Sequence, residues 1–378
     1  MRILLKILLS LWLNMIILFS IQAQILIDWN KVQEEPIALS SFASTIEYIP
    51  LETTDECLLR PHAGFYLTDK YIIAVDAIHG AYLFNRENGK FIHQITKRGQ
   101  GPGEFSFKCE SLYGFKDGIL YLNDGEYWRG IDVESKQIVE KIRKPVYVYE
   151  GKYNFISNPW PYGDSLYLGY VNNITGHIDT KLVVFNKEGI VQSEEKNYIY
   201  YDKSGRGVDR PYFAGMFYEY DQHTFFKQYQ GNDTVFQMVG NKTTPHIVFK
   251  WDKKQAYYQE MPIFTENQIY MSYINENDDY LFFNCQVNGP FIPKETFYCL
   301  YDKKRGRLKS TRHHSDGFVD DISGLNYCCP EFATNRELIE VISPEKWLKW
   351  EDERSKMPIQ KEISLDDNPI IRIVHFIK

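Results

Sequence analysis

The sequence predicts an all-β chain: a six-bladed β-propeller of four-stranded antiparallel blades, closed by pairing an N-terminal strand with the C-terminal blade. Three observations predict it. Aromatic residues make up 16% of the 378 residues, with 28 Tyr, 24 Phe and 7 Trp, and such side chains favour pleated, half-buried strands. A grammar of strand, polar loop and turn-linked hairpin recurs five times, with copies about 45 to 60 residues apart, a period that suits propellers better than small solenoids. One strand is surplus near the N-terminus and one is missing near the C-terminus.

The elements follow in order. Residues 1–23 carry two early cations, Arg2 and Lys6, an apolar stretch from Ile7 to Ile21, and Ala23 before a polar Gln24. That is the grammar of a cleaved secretory signal. No cysteine follows the cut, so a lipidated form is not expected, and no other long apolar run predicts a membrane span after cleavage. The expected location is periplasmic or secreted. Residues 24–43 read as a lead-in, and 44–378 as the propeller domain.

Within that domain, "STIEYIPLE" (Ser44 to Glu52) is a strand without a blade. The first copy of the grammar, Tyr71 to Ile95, turns its hairpin at Arg86-Glu87-Asn88-Gly89, where Asn-Gly tolerates positive φ. The second starts at Gly118 and turns at Glu134-Ser135-Lys136. The third starts at Ser165 and turns at Asn186-Lys187-Glu188-Gly189, and the fourth and fifth start at Phe225 and Tyr280. Each is preceded by another short strand, such as Gly64 to Thr68, which makes four per blade. The last unit has strands at Glu337 to Ile342 and Ile370 to Ile377 but no outer strand, so Ser44 to Glu52 is expected to supply it and remove two exposed edges. Between those last strands, Ser343 can cap a helix over 344–356, with Pro344 at its first position and Pro358 as its stop.

Composition excludes some classes. The net charge of −7 becomes −9 without Arg2 and Lys6, and an acidic chain with no basic run is a poor nucleic-acid binder. Cys57, Cys109, Cys285, Cys299, Cys328 and Cys329 lack the short, regular spacing of a disulfide framework, so buried thiols are expected. No cofactor is implied.

"IEYIPLETTDE", "KRGQGPGEF", "DDISG" and "DDNPIIRIVHFIK" occur in that order, and together the chain resembles a six-bladed β-propeller family of exported Gram-negative bacterial proteins related to NHL- and TolB-like propellers. The resemblance spans nearly all of the mature chain and implies the fold. It implies no reaction, since members of that family are largely uncharacterised. The leader without a lipidation cysteine and "LNYCCP" depart from the family pattern.

The stretch Lys97 to Phe105, "KRGQGPGEF", is glycine-rich but is not a phosphate cradle. A P-loop needs Lys and Ser or Thr after its last glycine, where this chain has Glu104 and Phe105, and a dinucleotide fingerprint needs a helix next. A corner between two blades is expected instead, anchored by Phe105. In a four-stranded blade the loop joining strands two and three shares a face with the blade-to-blade crossovers, while the hairpin turns lie opposite. This crossover face gathers convergent polar loops on a rigid scaffold, where ligands are favoured. Asp76, Arg98, Asp124, Arg210 and Asp321 are the candidate ligand-binding residues, one from each of five loops. Their mixed charge suits a polar ligand such as a glycan or a peptide better than a bare metal ion, and no metal site is expected even at His313-His314. Trp160 in "NPWPYGD" falls on the hairpin face and reads as packing.

The expected function is a ligand- or protein-binding module whose partner the sequence does not name, and which is not an enzyme. The alternative is a propeller hydrolase, lyase or lactonase using channel carboxylates, with or without a divalent cation.

Overall fold

The computed structural model describes residues 24–377 except 62, 77, 100, 102, 106–113, 155, 174, 199, 201–214, 229–232, 252–268, 288–293, 351–358 and 360–361. The chain opens with β1 (Ile25–Asp28), β2 (Gln33–Glu34) and β3 (Ala43–Pro50). Blade 1 is β4 (Gly64–Leu67), β5 (Tyr71–Asp76), β6 (Gly80–Asn85) and β7 (Phe91–Lys97). Blade 2 is β8 (Gly114–Lys116), β9 (Ile119–Asp124), β10 (Tyr127–Asp132) and β11 (Ile138–Arg143). A separate hairpin, β12 (Tyr147–Tyr149) and β13 (Lys152–Asn154), precedes blade 3, formed by β14 (Ile156–Tyr162), β15 (Leu166–Val171), β16 (Thr180–Asn186) and β17 (Val191–Lys196). Blade 4 is β18 (Gly215–Tyr220), β19 (His223–Gln228), β20 (Thr234–Val239) and β21 (Lys242–Lys250). Blade 5 is β22 (Ile269–Glu276), β23 (Tyr280–Val287), β24 (Glu295–Asp302) and β25 (Arg307–Ser310). Blade 6 is β26 (Phe332–Ala333), β27 (Glu337–Ile342), β28 (Ile370–Phe376) and, from the other end of the chain, β3.

The expected closure is therefore present. β3 lies antiparallel to β28, with Ile371 opposite Ile49 and Ile373 opposite Glu47. The first strands of the blades face the axis and touch their neighbours there: Asn275 Nδ2 donates to the Ala333 carbonyl at 2.8 Å, and Lys116 of blade 2 reaches the Pro161 carbonyl of blade 3 at 3.2 Å and pairs with Glu219 of blade 4.

Strand sequences record their layer. β5 and β6 ("YIIAVD", "GAYLFN") are almost continuously buried because blades cover both their faces, whereas outer β17 ("VQSEEK") alternates half-buried with exposed residues. The core is a set of six inter-blade seams. Ile73 and Val75 of blade 1 pack on Leu120 and Leu122 of blade 2, Trp128 and Ile142 of blade 2 on Val183 and Phe185 of blade 3, and Leu168 and Val184 on Phe217 and Phe226 of blade 4. Blades 4 and 5 meet through Phe225, Phe249 and Phe283, blades 5 and 6 through Phe282, Leu338 and Val374, and blades 6 and 1 through Ile339, Ile373, Ile72 and Phe84.

The lead-in does more than the sequence suggested. β1 adds in parallel to the outer edge of blade 4, through Ile25 opposite Ile247, and β2 to that of blade 5, through Gln33 opposite Lys309. Pairing within blades 1, 2, 3, 4 and 6 shifts register at or beside the outer strand. The β24–β25 pairing has no such shift, and β2 covers that edge. Bulges and covering are two ways of blunting a strand edge against association with another chain.

Candidate functional site

The crossover face starts at the glycine-rich corner. The Gly99 N–H donates to the Phe105 carbonyl at 3.0 Å, and the Gly101 N–H donates to Glu104 Oε2 at 2.8 Å. The carboxylate of Glu104 thus sits inside its own turn, so a Cβ on Gly99 would lie 1.8 Å from Oε2. Gly103 turns the chain at φ +80°. Phe105 is 3% exposed and plugs the seam between blades 1 and 2. The corner anticipated from sequence is present.

Four of the five sequence-predicted residues lie among the described residues, each with its own local contacts. Asp76, 1% exposed at the end of β5, accepts from the Arg60 guanidinium at 3.0 to 3.2 Å, from the Arg60 N–H at 3.1 Å, and from the N–H groups of Ile78 and His79 at 2.8 and 3.1 Å. Burial opposes its charge, but Arg60 and those N–H donors outweigh it and hold the carboxyl below the usual range. Arg98 is exposed, and only its backbone joins the corner, by a bridge to Phe105. Asp124 accepts from Arg129 Nε at 2.7 Å, while Arg129 Nη1 donates to the Glu104 carbonyl at 2.7 Å, tying the corner to blade 2. Beside it, Lys144 donates to the Gly125 carbonyl at 2.6 Å, and burial pushes its ammonium down to about 8 despite Asp124. Asp321 accepts from the Ser40 N–H at 2.9 Å and from the Ser40 hydroxyl, which pins the lead-in to the crossover between blades 5 and 6. Arg210 lies outside the described residues.

A denser constellation, not anticipated from sequence, lies where blade 6 meets that crossover. Glu340 of β27 and Arg372 of β28 are register partners, both within 1% of full burial. Arg372 Nη2 is 2.9 Å from Glu340 Oε2, and Nη1 is 3.2 Å from Asp320 Oδ2. Tyr48 of β3 donates to Asp320 at 3.3 Å, and its ring and that of Trp350 flank the guanidinium at 5.7 and 5.4 Å. Burial and the Asp320 charge contribute to raising the Tyr48 phenol above its ordinary range.

The helix α1 (Pro344–Leu348) begins as the sequence proposed: the Ser343 side chain accepts from the Lys346 N–H and Pro344 occupies the first turn. Of the rest of the anticipated helix over 344–356, residues 349 and 350 form a turn and 351–356 lie outside the described residues. Trp347 and Trp350 pack with Ile342, Ile363 and Ile370 over the crossover end of blade 6. That seating brings Lys346 Nζ within 2.6 Å of Glu340 Oε1. Burial works against the Lys346 charge, but Glu340 raises its pKa overall.

Glu331 completes the group at the axis. It immediately precedes β26, the first strand of blade 6, and its N–H donates to the Ile339 carbonyl at 2.8 Å. The residue is exposed to solvent, with the Glu340 and Lys346 charges nearby. Burial among the surrounding wall, then the nearby Glu340, raises it to about 7; solvent contact screens part of that shift. Among the described residues no ion pair reaches it. Two signals in the sequence pointed here: Glu340 and Arg372 each put a charge between apolar neighbours inside a strand, "ELIEVI" and "IIRIVHF".

His313 has φ +60° and its ring is 3.4 Å from Glu295, and among the described residues no three His, Cys, Asp or Glu side chains are placed to hold an ion. Trp160 lies on β14 stacked 6.0 Å from Phe217, with Lys116 over its ring at 5.6 Å. No described helix is long and apolar enough to cross a membrane.

The architecture is shared with a solved protein. An exported protein of Bacteroides fragilis NCTC 9343, so described by name only, superposes with a TM-score of 0.65 at 16% identity, covering 94% of this chain and 100% of its own; at that identity the likeness speaks for the fold alone. A member of the DUF4221 family from Bacteroides vulgatus ATCC 8482 gives a TM-score of 0.49 at 10% identity, covering 91% and 99%. No curated protein matches the chain. The family model described as a domain of unknown function, DUF4934, matches residues 24–375, and the chain belongs to that family.

Proposed function

We propose that this protein is an exported binding module that takes a polar ligand, a peptide or a glycan, on its crossover face. One observation carries the reading. The polar groups of that face are built into rigid supports at Asp76, Asp124, Asp320 and Arg372, while Glu331 is presented to solvent at the axis. A rigid scaffold presenting a few unspent polar groups at a concave end is the usual form of a ligand site. Arg98 and Arg210 are proposed as rim contacts, with Asp76, Asp124 and Asp321 shaping the loops that carry them. In this reading the leader is a cleaved signal that delivers the chain to the periplasm or beyond, and the relationship to NHL- and TolB-like propellers is one of architecture.

The experiment is a thermal-shift screen of the mature chain against peptides, glycans and divalent cations, because a ligand that binds only the folded state raises the melting temperature. Any hit is then measured in Arg98→Ala and Arg210→Ala beside the hairpin-face controls Glu87→Ala and Lys187→Ala. Weaker binding in the first pair alone supports the crossover face. Loss in the controls alone moves the site to the opposite face. A hit that is consumed, with product released, would favour the hydrolase, lyase or lactonase reading.

A further inference from the structure

We propose that a groove on the outer flank of blade 1 binds the guanidinium group of an arginine in a partner peptide. This site is separate from the crossover loops, so the inference goes beyond the crossover-face reading and does not depend on it.

The first support is a cavity. The turn after β3 and the two outer strands of blade 1, β6 and β7, line a groove of about 470 Å³, within the range of about 300–1,000 Å³ usual for small-ligand sites. Its floor is aromatic: Tyr82, 4% exposed, and half-buried Phe91 meet with ring centroids 6.4 Å apart. Exposed Ile92 adds an apolar wall.

The second support is charge. Asp55 and Glu56 line the groove and both are exposed. Glu52 sits beside them, its Oε2 accepting from the Phe91 N–H at 2.8 Å. Among the described residues none of these three carboxylates has an ion-pair partner, and no Lys or Arg lines the groove. Lys90, next in the chain to Phe91, is exposed and pairs with none of them.

The third support is preorganisation. The side chain of Asn368, 1% exposed, donates to the carbonyls of Glu52 and Cys57 at 2.7 and 2.8 Å, and the Cys57 N–H donates to the Thr54 carbonyl at 3.1 Å. These bonds fix the turn that carries Asp55 and Glu56 at its two central positions. On the β7 side, His93 Nε2 lies 2.9 Å from the Val133 carbonyl and Gln94 Nε2 donates to the His79 carbonyl at 3.4 Å, which ties that wall to blade 2 and to the β5–β6 loop. Acceptors held on fixed supports lose little freedom when a ligand arrives. A guanidinium is the cation that suits them, because it forms paired hydrogen bonds with a carboxylate and stacks on aromatic rings, while the aliphatic stem of arginine packs on apolar surface such as Ile92.

The test measures binding of acetyl-Gly-Arg-Gly-amide to the mature chain by calorimetry, against the same peptide with citrulline, which keeps the shape of arginine and loses its charge. The arginine peptide should bind about tenfold more tightly, as expected for a charge-assisted contact. Asp55→Asn combined with Glu56→Gln should lower its affinity to that of the citrulline peptide, with the melting temperature unchanged because both side chains are exposed. Ile92→Lys puts a competing cation at the groove and should likewise erase the difference between the peptides. Glu87→Gln, an exposed carboxylate of the same blade that does not line the groove, should leave it intact. Equal affinity for the two peptides, no binding of the arginine peptide, or an equal loss in Glu87→Gln overturns the inference. Maltotriose bound more tightly than the arginine peptide, and lost in the double variant, would assign the groove to a glycan and overturn it as well.

Discussion

At the scale of single residues, this protein keeps its charges where partners are fixed. Arg372 is the sharpest case, because its side chain is 0% exposed and both of its carboxylate partners are buried. Replacing it with Met leaves Glu340 and Asp320 without their guanidinium. Removing one partner of a buried ion pair typically costs about 3–5 kcal/mol, and an unfolding free energy from urea denaturation lowered by that amount is the expected result; a loss below about 1 kcal/mol would mean the carboxylates find other partners. Asp76 belongs to the same class, so an alanine there tests stability before binding. Glu331 makes a different prediction. Its folded pKa, about 7, lies above the ordinary carboxyl value, so folding favours the protonated form. Its contribution is fully present below the unfolded value and is lost as pH rises through the folded one. Stability should decline between about pH 4.5 and pH 7 by a component that Glu331→Gln removes, as read from denaturation midpoints across that window.

At the scale of elements, the glycine-rich corner shows how local chemistry writes itself into sequence. Gly103→Val must hold a β-branched residue at φ +80°, for which about 1–3 kcal/mol of backbone strain is expected. Gly99→Val meets Glu104 instead, at 1.8 Å from its carboxylate, and should displace that side chain from the turn and loosen the corner. Both are checked by thermal unfolding, with a neutral Gly103→Val arguing that the turn re-forms with another geometry. Hairpin turns and the start of α1 were legible for the same reason as this corner: Ser343 caps the Lys346 N–H and the Asn85 side chain accepts from the Glu87 and Asn88 N–H groups, all within four residues. β1, β2 and the β12–β13 hairpin were not legible. β1 and β2 are short and gain their partners from blades more than 200 residues away, so nothing in their own sequence sets their pairing. The charged site was half legible for a related reason. The Glu340 between apolar residues in "ELIEVI" and the Arg372 in "IIRIVHF" are visible, but that they face one another depends on strand register, and the arrival of Lys346 and Tyr48 depends on how the helix and the N-terminal strand dock.

At the scale of the whole molecule, the blades form a ring in which each seam buries side chains from two neighbours, so no blade has a complete core of its own and closing the ring is a condition for all of them. The chain closes it with strands from its two ends: β3 and β28 pair through seven positions from Ile370 opposite Pro50 to Phe376 opposite Ala43. The same ends carry the Arg372 cluster, so closure and the assembly of the candidate site are one event. Truncation after Pro369 tests this directly. It removes β28, which leaves β3 without its partner and β27 with an open edge, strips Ile371 and Ile373 from the seam with blade 1 and Val374 from the seam with blade 5, and deletes Arg372 from between two buried carboxylates. Fully burying each such aliphatic side chain contributes roughly 1.5–3 kcal/mol, so three of them together rival the about 5–15 kcal/mol net stability of a typical domain. The truncated chain should therefore lose its cooperative melting transition, and its two unpaired edges should associate, since open strand edges template pairing with other chains. Size-exclusion chromatography and thermal unfolding of the two chains side by side provide the measurement. A monomeric truncation that still melts in one transition would mean the remaining blades hold together without the β3–β28 pairing, and that closure by the chain ends is not what stabilises the ring.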